Sequence, residues 1–142
     1  MREVWIYMAY DLPSSAALAY LGDAVFETLV RERLVKSGLS LSGALNEASL
    51  KYVRASCQSD AIERILPLLS EEENDIFMRG RNSHAGAVPK HTSAAQYRRA
   101  TGFEALFGAL YYLGRTERLT ELFASAFPEE TDEKNDRQNE AK

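Results

Sequence analysis

Hydrophobic positions along the chain gather into stretches separated by short breaks that carry serine, glycine or proline, and this pattern predicts helices throughout. The first runs from a cap at Ser14 or Ser15, just after Pro13, to about Lys36, where Ser37-Gly38 stops it. A second spans about residues 43–57, and a third about 60–69, closed near Pro67. Ser70-Glu71-Glu72-Glu73 has the form of a capping box, in which the Glu73 carboxylate reaches back to the Ser70 amide. The three acids also favour a helix N-terminus, and that fourth helix is expected to end around Gly80. Residues 80–92 read as the main loop. A long helix follows from about Ser93 to Leu113, capped by Thr92 or Ser93 and ended by Gly114, and a last one from about Glu117 to Ala126 stops before Pro128. No strand pair, repeat or low-complexity segment interrupts this series, so the expectation is a single all-α domain over residues 14–127.

Two stretches break the hydrophobic pattern in the same way. In Ala16-Ala17-Leu18-Ala19-Tyr20-Leu21-Gly22-Asp23-Ala24-Val25-Phe26 every residue but one is apolar or small, and the exception is Asp23. In Phe103-Glu104-Ala105-Leu106-Phe107-Gly108-Ala109-Leu110-Tyr111-Tyr112-Leu113 the exception is Glu104. Both stretches read as helix buried nearly all round. A carboxylate there costs several kcal/mol unless it meets a cation, a donor or water. Two such acids meeting across a bundle repel unless a cation lies between them, and hard oxygen ligands suit magnesium or manganese. Gly22 and Gly108 would let the two backbones approach closely. The competing reading is that each acid caps a neighbouring helix or pairs with an arginine. Glu27, four residues after Asp23, is either a further group near the cation or the partner of Arg31 at the next i+4 position.

Between Ile76 and Arg99 the chain carries five bases (Arg79, Arg81, Lys90, Arg98 and Arg99) and no acid. Asn82, Ser83, Thr92 and Ser93 add small donors, and Gly80 and Gly86 permit close backbone approach. Fixed positive charge beside a helix N-terminus suits phosphate binding; a solvated loop with ordinary surface arginines has the same composition. His84 and His91 stand seven apart with no cysteine near, which matches no compact zinc motif.

Composition changes the picture in three places. The net charge of −4 argues against a nucleic-acid partner, yet six of 21 acids and three of 17 bases fall in residues 128–142. The remaining 15 acids and 14 bases leave the body nearly neutral, and the acidic tail is expected to be disordered. Cys57 is the only cysteine, so no internal disulfide forms; a reducing, cytoplasmic setting fits, with Cys57 as helix filler. No apolar run approaches a membrane span, and residues 1–13 carry no basic leader or small-residue cleavage site. They are taken as an N-terminal arm of open structure.

The Tyr20-Leu21-Gly22-Asp23-Ala24-Val25-Phe26-Glu27 run resembles the ribonuclease III signature, a Leu-Gly-Asp-Ala/Ser-Val/Ile core with an essential aspartate. Phe103-Glu104-Ala105-Leu106-Phe107-Gly108-Ala109 resembles that family's second acidic motif. Closer still is the similarity to the Mini-ribonuclease III subgroup. It covers Ala-Leu-Ala-Tyr-x-Gly-Asp-Ala-Val at 17–25, Arg-Gly-Arg-Asn at 79–82, Val-Pro-Lys at 88–90, Tyr-Arg at 97–98 and Thr-x-Phe-Glu-Ala-Leu at 101–106.

The resemblance covers roughly residues 14–126 and implies a ribonuclease III catalytic-domain-like helical bundle without a double-stranded RNA-binding domain. It further implies a homodimeric endonuclease that cuts double-stranded RNA with Mg2+, or Mn2+ in its place. Precursor large-subunit (23S) ribosomal RNA is the implied substrate. Asp23 and Glu104 would be catalytic residues and metal ligands, with phosphate contacts from Arg79, Arg81, Asn82, Lys90, Arg98 and Arg99. The sequence departs from full-length ribonuclease III at Ala19 and Thr101, where acids are expected, as the Mini subgroup also does. Thr101 and Glu27 are candidates for hydrogen bonds around the ion. Two other classes stay in view: a catalytically inactive ribonuclease III fold that clamps structured RNA, and an unrelated helical metal hydrolase, which would need clustered rather than solitary acids.

Overall fold

The computed structural model describes residues 11–83, 88 and 93–129. Among the described residues there are six α-helices, α1 (Ser15–Lys36), α2 (Ser42–Val53), α3 (Ala55–Ile65), α4 (Glu71–Arg81), α5 (Ala94–Tyr112) and α6 (Thr116–Ala126), with a 3-10 turn at Leu66–Leu68. No strand occurs among the described residues. The expected tail beyond Glu129, most of the N-terminal arm, and Lys90, His84 and His91 lie outside the described residues.

The helix ends follow the local chemistry. The Ser14 hydroxyl accepts from the Ala17 amide at 3.2 Å, and α1 closes at Gly38, whose φ of +98° suits glycine. Both halves of the capping box at α4 form: the Ser70 amide donates to Glu73 Oε1 at 2.8 Å, and the Glu73 amide donates to Ser70 Oγ at 3.1 Å. The Ser93 hydroxyl accepts from the Gln96 amide at 3.1 Å and starts α5. One boundary differs from expectation. The helix expected over 43–57 breaks at Arg54, whose extended backbone (φ −63°, ψ 140°) ends α2 and opens α3. Neither glycine nor proline marks the break; tertiary packing sets it. The bend lets Ala61, Ile62 and Ile65 of α3 enter the core while α2, with no fully buried residue, lies across the surface and packs through Leu45, Ala48 and Tyr52.

α5 is the hub. Its stretch Gly102 to Leu110 is buried except for Glu104, and α1, α3, α4 and α6 all pack on it. Phe26 meets Phe103 edge-on with ring centroids 5.4 Å apart, and Phe103 lies 4.3 Å from Phe107. Phe123 and Phe127 of the C-terminal segment close this aromatic cluster around Phe26. Two arginines satisfy carbonyls at the end of α6: Arg64 donates to Ala126 O at 2.8 Å, and Arg33 donates to Phe127 O with its guanidinium 4.5 Å over the Phe123 ring.

Glu73 is 2% exposed and is held by Arg118, whose Nε and Nη2 each donate at 2.8 Å to one carboxylate oxygen. The Arg118 guanidinium and the Ser70 amide hold the Glu73 pKa below the usual value against the opposing effect of burial, so the pair is ionised and structural. Gly80 lies inside α4 and not in a phosphate-facing loop. A Cβ there would come within 2.8 Å of Ala105 Cβ and 2.9 Å of Gly102 Cα, so it serves helix packing. No helix among the described residues is long and apolar enough to cross a membrane.

Candidate active site

Asp23 and Glu104 are brought together by a backbone crossing that only glycines permit. α1 and α5 run against each other so closely that a Cβ on Gly22 would fall 1.6 Å from the Glu104 carbonyl oxygen. One turn along, a Cβ on Gly108 would fall 1.9 Å from the Leu18 carbonyl oxygen. Because Gly22 adjoins Asp23 in sequence and touches Glu104 in space, the crossing itself sets the two acids side by side.

Beside the crossing is a cleft of about 320 Å³ lined by Ala16, Ala19, Tyr20 and Asp23 from α1 and by Tyr97, Ala100, Thr101 and Glu104 from α5. Its alanines make it roomy, and its two carboxylates give it negative charge. The Glu104 carboxyl is pushed up to about 7, first by burial and then by the Asp23 charge. Asp23 itself is exposed, which corrects the expectation of an aspartate on a helix buried all round. Residues 16–26 of α1 are apolar or small on every side but for Asp23, yet among the described residues only one side is covered. Ala16, Ala17, Tyr20 and Ala24 are exposed along with Asp23.

The other expected site residues divide. Thr101 is in the cleft, with its hydroxyl donating to Tyr97 O at 3.0 Å. Glu27 pairs with Arg31 on the exposed side of α1 and is not in the cleft lining. Arg79, Arg81 and Asn82 are exposed at the end of α4, and Arg98 is exposed on α5. Gly80 packs against the Thr101 carbonyl, so the α4 end borders the Thr101 wall of the cleft. Arg99 is engaged elsewhere: it bonds Glu63 at 2.5 Å and Ser59 at 3.3 Å, bracing α5 on α3. Tyr20, Tyr97, Ala16 and Ala100 were not singled out as site residues, although helical spacing carries the signal. Tyr20 stands one turn before Asp23, and Tyr97 shares the face of Thr101 and Glu104.

The donor set fits a hard divalent cation. Two carboxylates converge on one open cleft, one of them held neutral-prone by burial and by the other, and a cation between them would relieve both effects. No group of three or more His, Cys, Asp or Glu side chains suited to a metal occurs among the described residues, which bring two carboxylates to this cleft.

Helical architecture and a two-carboxylate cleft define a class, and comparison with known proteins identifies it. Residues 16–115 match the Ribonuclease III domain. Among proteins named Mini-ribonuclease 3, that of Symbiobacterium thermophilum is 44% identical over 109 residues, covering 77% of this chain and 84% of its own. That of Brevibacillus brevis is 39% identical over 117 residues, covering 82% and 87%. An X-ray crystal structure of a Fusobacterium nucleatum protein superposes with a TM-score of 0.73 at 30% identity, covering 82% of this chain and 94% of that one. The chain belongs to the ribonuclease III family, and within it groups with the Mini-ribonuclease 3 proteins.

Proposed function

We propose that this protein is a metal-dependent endonuclease of the ribonuclease III type that hydrolyses phosphodiester bonds in double-stranded RNA, with Asp23 and Glu104 at the reacting centre. The observation that carries the reading is the convergence of these two carboxylates on one cleft at a glycine-permitted crossing, in a chain of this family. Asp23 and Glu104 would hold Mg2+ or Mn2+. When bound, the ion supplies an activated water and neutralises charge on the leaving oxygen. With no acid at Ala19 or Thr101, the cleft itself would supply the ion with two carboxylates. Arg79, Arg81, Asn82, Lys90 and Arg98 contact phosphates, and Arg99 first supports α5.

The exposed apolar patch at the start of α1, Tyr20 (86% exposed) with Ala16, Ala17 and Ala24, supports a homodimer in which a second copy covers it. Two copies give two clefts for the two strands of an A-form duplex, which is read by shape and sugar-phosphate contacts. The natural substrate we assign is precursor large-subunit ribosomal RNA in the cytoplasm, on the strength of the Mini-ribonuclease 3 kinship.

The test is cleavage of an end-labelled RNA duplex with magnesium or EDTA by wild type, Asp23→Asn and Glu104→Gln. Magnesium-dependent scission lost in both folded variants is the expected result. Duplex binding without scission by the wild type in either metal would make the protein an RNA clamp instead.

A further inference from the structure

Glycine contacts fix the backbone on both sides of one short piece of α5. At Gly22 and Gly108 the crossing with α1 holds Glu104 in place, and just before it α4 does the same for Thr101. A Cβ on Gly102 would fall 2.6 Å from the Phe77 carbonyl oxygen, and a Cβ on Gly80 would fall 3.2 Å from that of Thr101. Thr101 and Glu104 both line the cleft, one turn apart on the same face, with Cβ atoms about 5–6 Å from each other. The Thr101 side chain makes one hydrogen bond among the described residues, from its hydroxyl to the Tyr97 carbonyl at 3.0 Å. Thr28 and Thr120 make the same bond on exposed helix faces, so the bond alone assigns nothing. Thr101 differs in that its bond joins two residues of the cleft wall, which lays the hydroxyl along that wall.

A hydroxyl carries one proton and two acceptor lone pairs. With its proton spent on the Tyr97 carbonyl, the Thr101 oxygen can only accept. An acceptor beside two carboxylates has nothing to offer a phosphodiester oxygen, which is an acceptor too, and needs a donor instead. A hard divalent cation between Asp23 and Glu104 brings such donors, because an ion held through one or two carboxylates keeps several waters. Ala16, Ala19 and Ala100 give the cleft no side-chain acceptor for those waters. We propose that Thr101 is a positioning residue for the cation, its hydroxyl oxygen accepting a hydrogen bond from a water of the ion's hydration shell. The assignment rests on the two-carboxylate metal reading above and adds to it a contact that brings no further charge. A ribose 2′-hydroxyl is also a donor, so the test measures the ion in the absence of RNA.

Metal-free wild type, Thr101→Val, Thr101→Ala and Thr101→Ser are titrated with Mn2+ by calorimetry without RNA. Valine keeps the shape of the side chain and alanine favours the helix, so the test does not depend on one variant folding; melts in EDTA check each. Loss of the hydroxyl is expected to weaken Mn2+ binding about tenfold. The Mg2+ concentration for half-maximal duplex cleavage should rise in step. Serine, which keeps the hydroxyl, should restore wild-type affinity, whereas a purely structural role for Thr101 would move the melts and leave Kd in place. Hydroxyl-free variants that bind Mn2+ as tightly as wild type, or a serine variant that binds no better than the valine one, overturn the assignment and leave the two-carboxylate reading standing. A wild type that binds no Mn2+ overturns both.

Discussion

Glu104→Gln is expected to stabilise the metal-free protein at alkaline pH while abolishing its activity. In the folded chain the Glu104 carboxyl titrates near 7, against 4.5 for the unperturbed group, because burial and then Asp23 oppose its charge. Below about pH 4.5 the carboxyl is protonated in both folded and unfolded chains and contributes no pH dependence. Between 4.5 and 7 the unfolded chain ionises while the folded one keeps its proton, so native stability falls as pH rises. The full interval corresponds to about 3 kcal/mol. Glu104 opens onto the cleft, and its contact with water lowers the expected effect to about 1–2 kcal/mol.

Glutamine has the same shape and no charge to lose, so it escapes this penalty. Thermal melts of wild type and Glu104→Gln in EDTA from pH 5 to pH 8.5 test it. The two should coincide at pH 5, and the variant should melt higher by roughly 3–8 °C at pH 8.5. Saturating magnesium should reverse the order by stabilising the wild type alone, by about 2.7 kcal/mol at a hundredfold excess over Kd. A gap no larger at pH 8.5 than at pH 5 would refute the reasoning, since it would mean that a protein cation already compensates Glu104.

Three further outcomes follow from the packing. Gly22→Ala drives a methyl into the Glu104 backbone and is expected to cost about 3 kcal/mol or more, read as a lowered melting temperature together with lost cleavage. Arg118→Ala strands the buried Glu73 carboxylate and should cost about 3 kcal/mol in urea unfolding at neutral pH. Because Glu73 has a lowered pKa, the pair's contribution is present above 4.5 and lost as pH falls through the folded value, so the variant's deficit should shrink in acid. Tyr20→Asp places a charge on the exposed stripe of α1 and should yield a folded monomer by sedimentation; a dimer of undiminished affinity would move the interface elsewhere.

What was legible in the sequence was whatever a few adjacent residues decide. The caps at Ser14, Ser70 and Ser93 each needed one hydroxyl and one amide three residues on, and each formed. The acids at 23 and 104 stood out because their neighbours are apolar, and the glycines beside them announced a close crossing. Features fixed by distant partners were not legible. Nothing around Arg54 signals that the chain turns there, since the turn is set by where Tyr52 and Ile62 must pack. Glu73 revealed its capping role but not Arg118, 45 residues away. Arg99 read as a phosphate ligand because Glu63, its partner, lies on a different helix. Apolar residues all round the 16–26 stretch of α1 predicted burial, and sequence alone does not say which side lies uncovered among the described residues.

The glycine crossing and the raised Glu104 pKa are two sides of one arrangement. Two repelling carboxylates on separate helices would ordinarily relax by sliding or tilting the helices apart. Here the backbones interlock at Gly22 and Gly108 within Cβ-forbidding distance, and the flanking Phe26, Phe103 and Phe107 rings are packed without exposed area to yield. The acids therefore stay in place, and burial of Glu104, with the Asp23 charge second, pushes its carboxyl up to about 7. On the proposed function, these two carboxylates would hold a divalent cation with little reorganisation of the chain. The fold compensates away from the cleft, through the aromatic cluster and the Arg118–Glu73 pair. This division explains why Gly22→Ala should damage fold and activity together, whereas Glu104→Gln separates them.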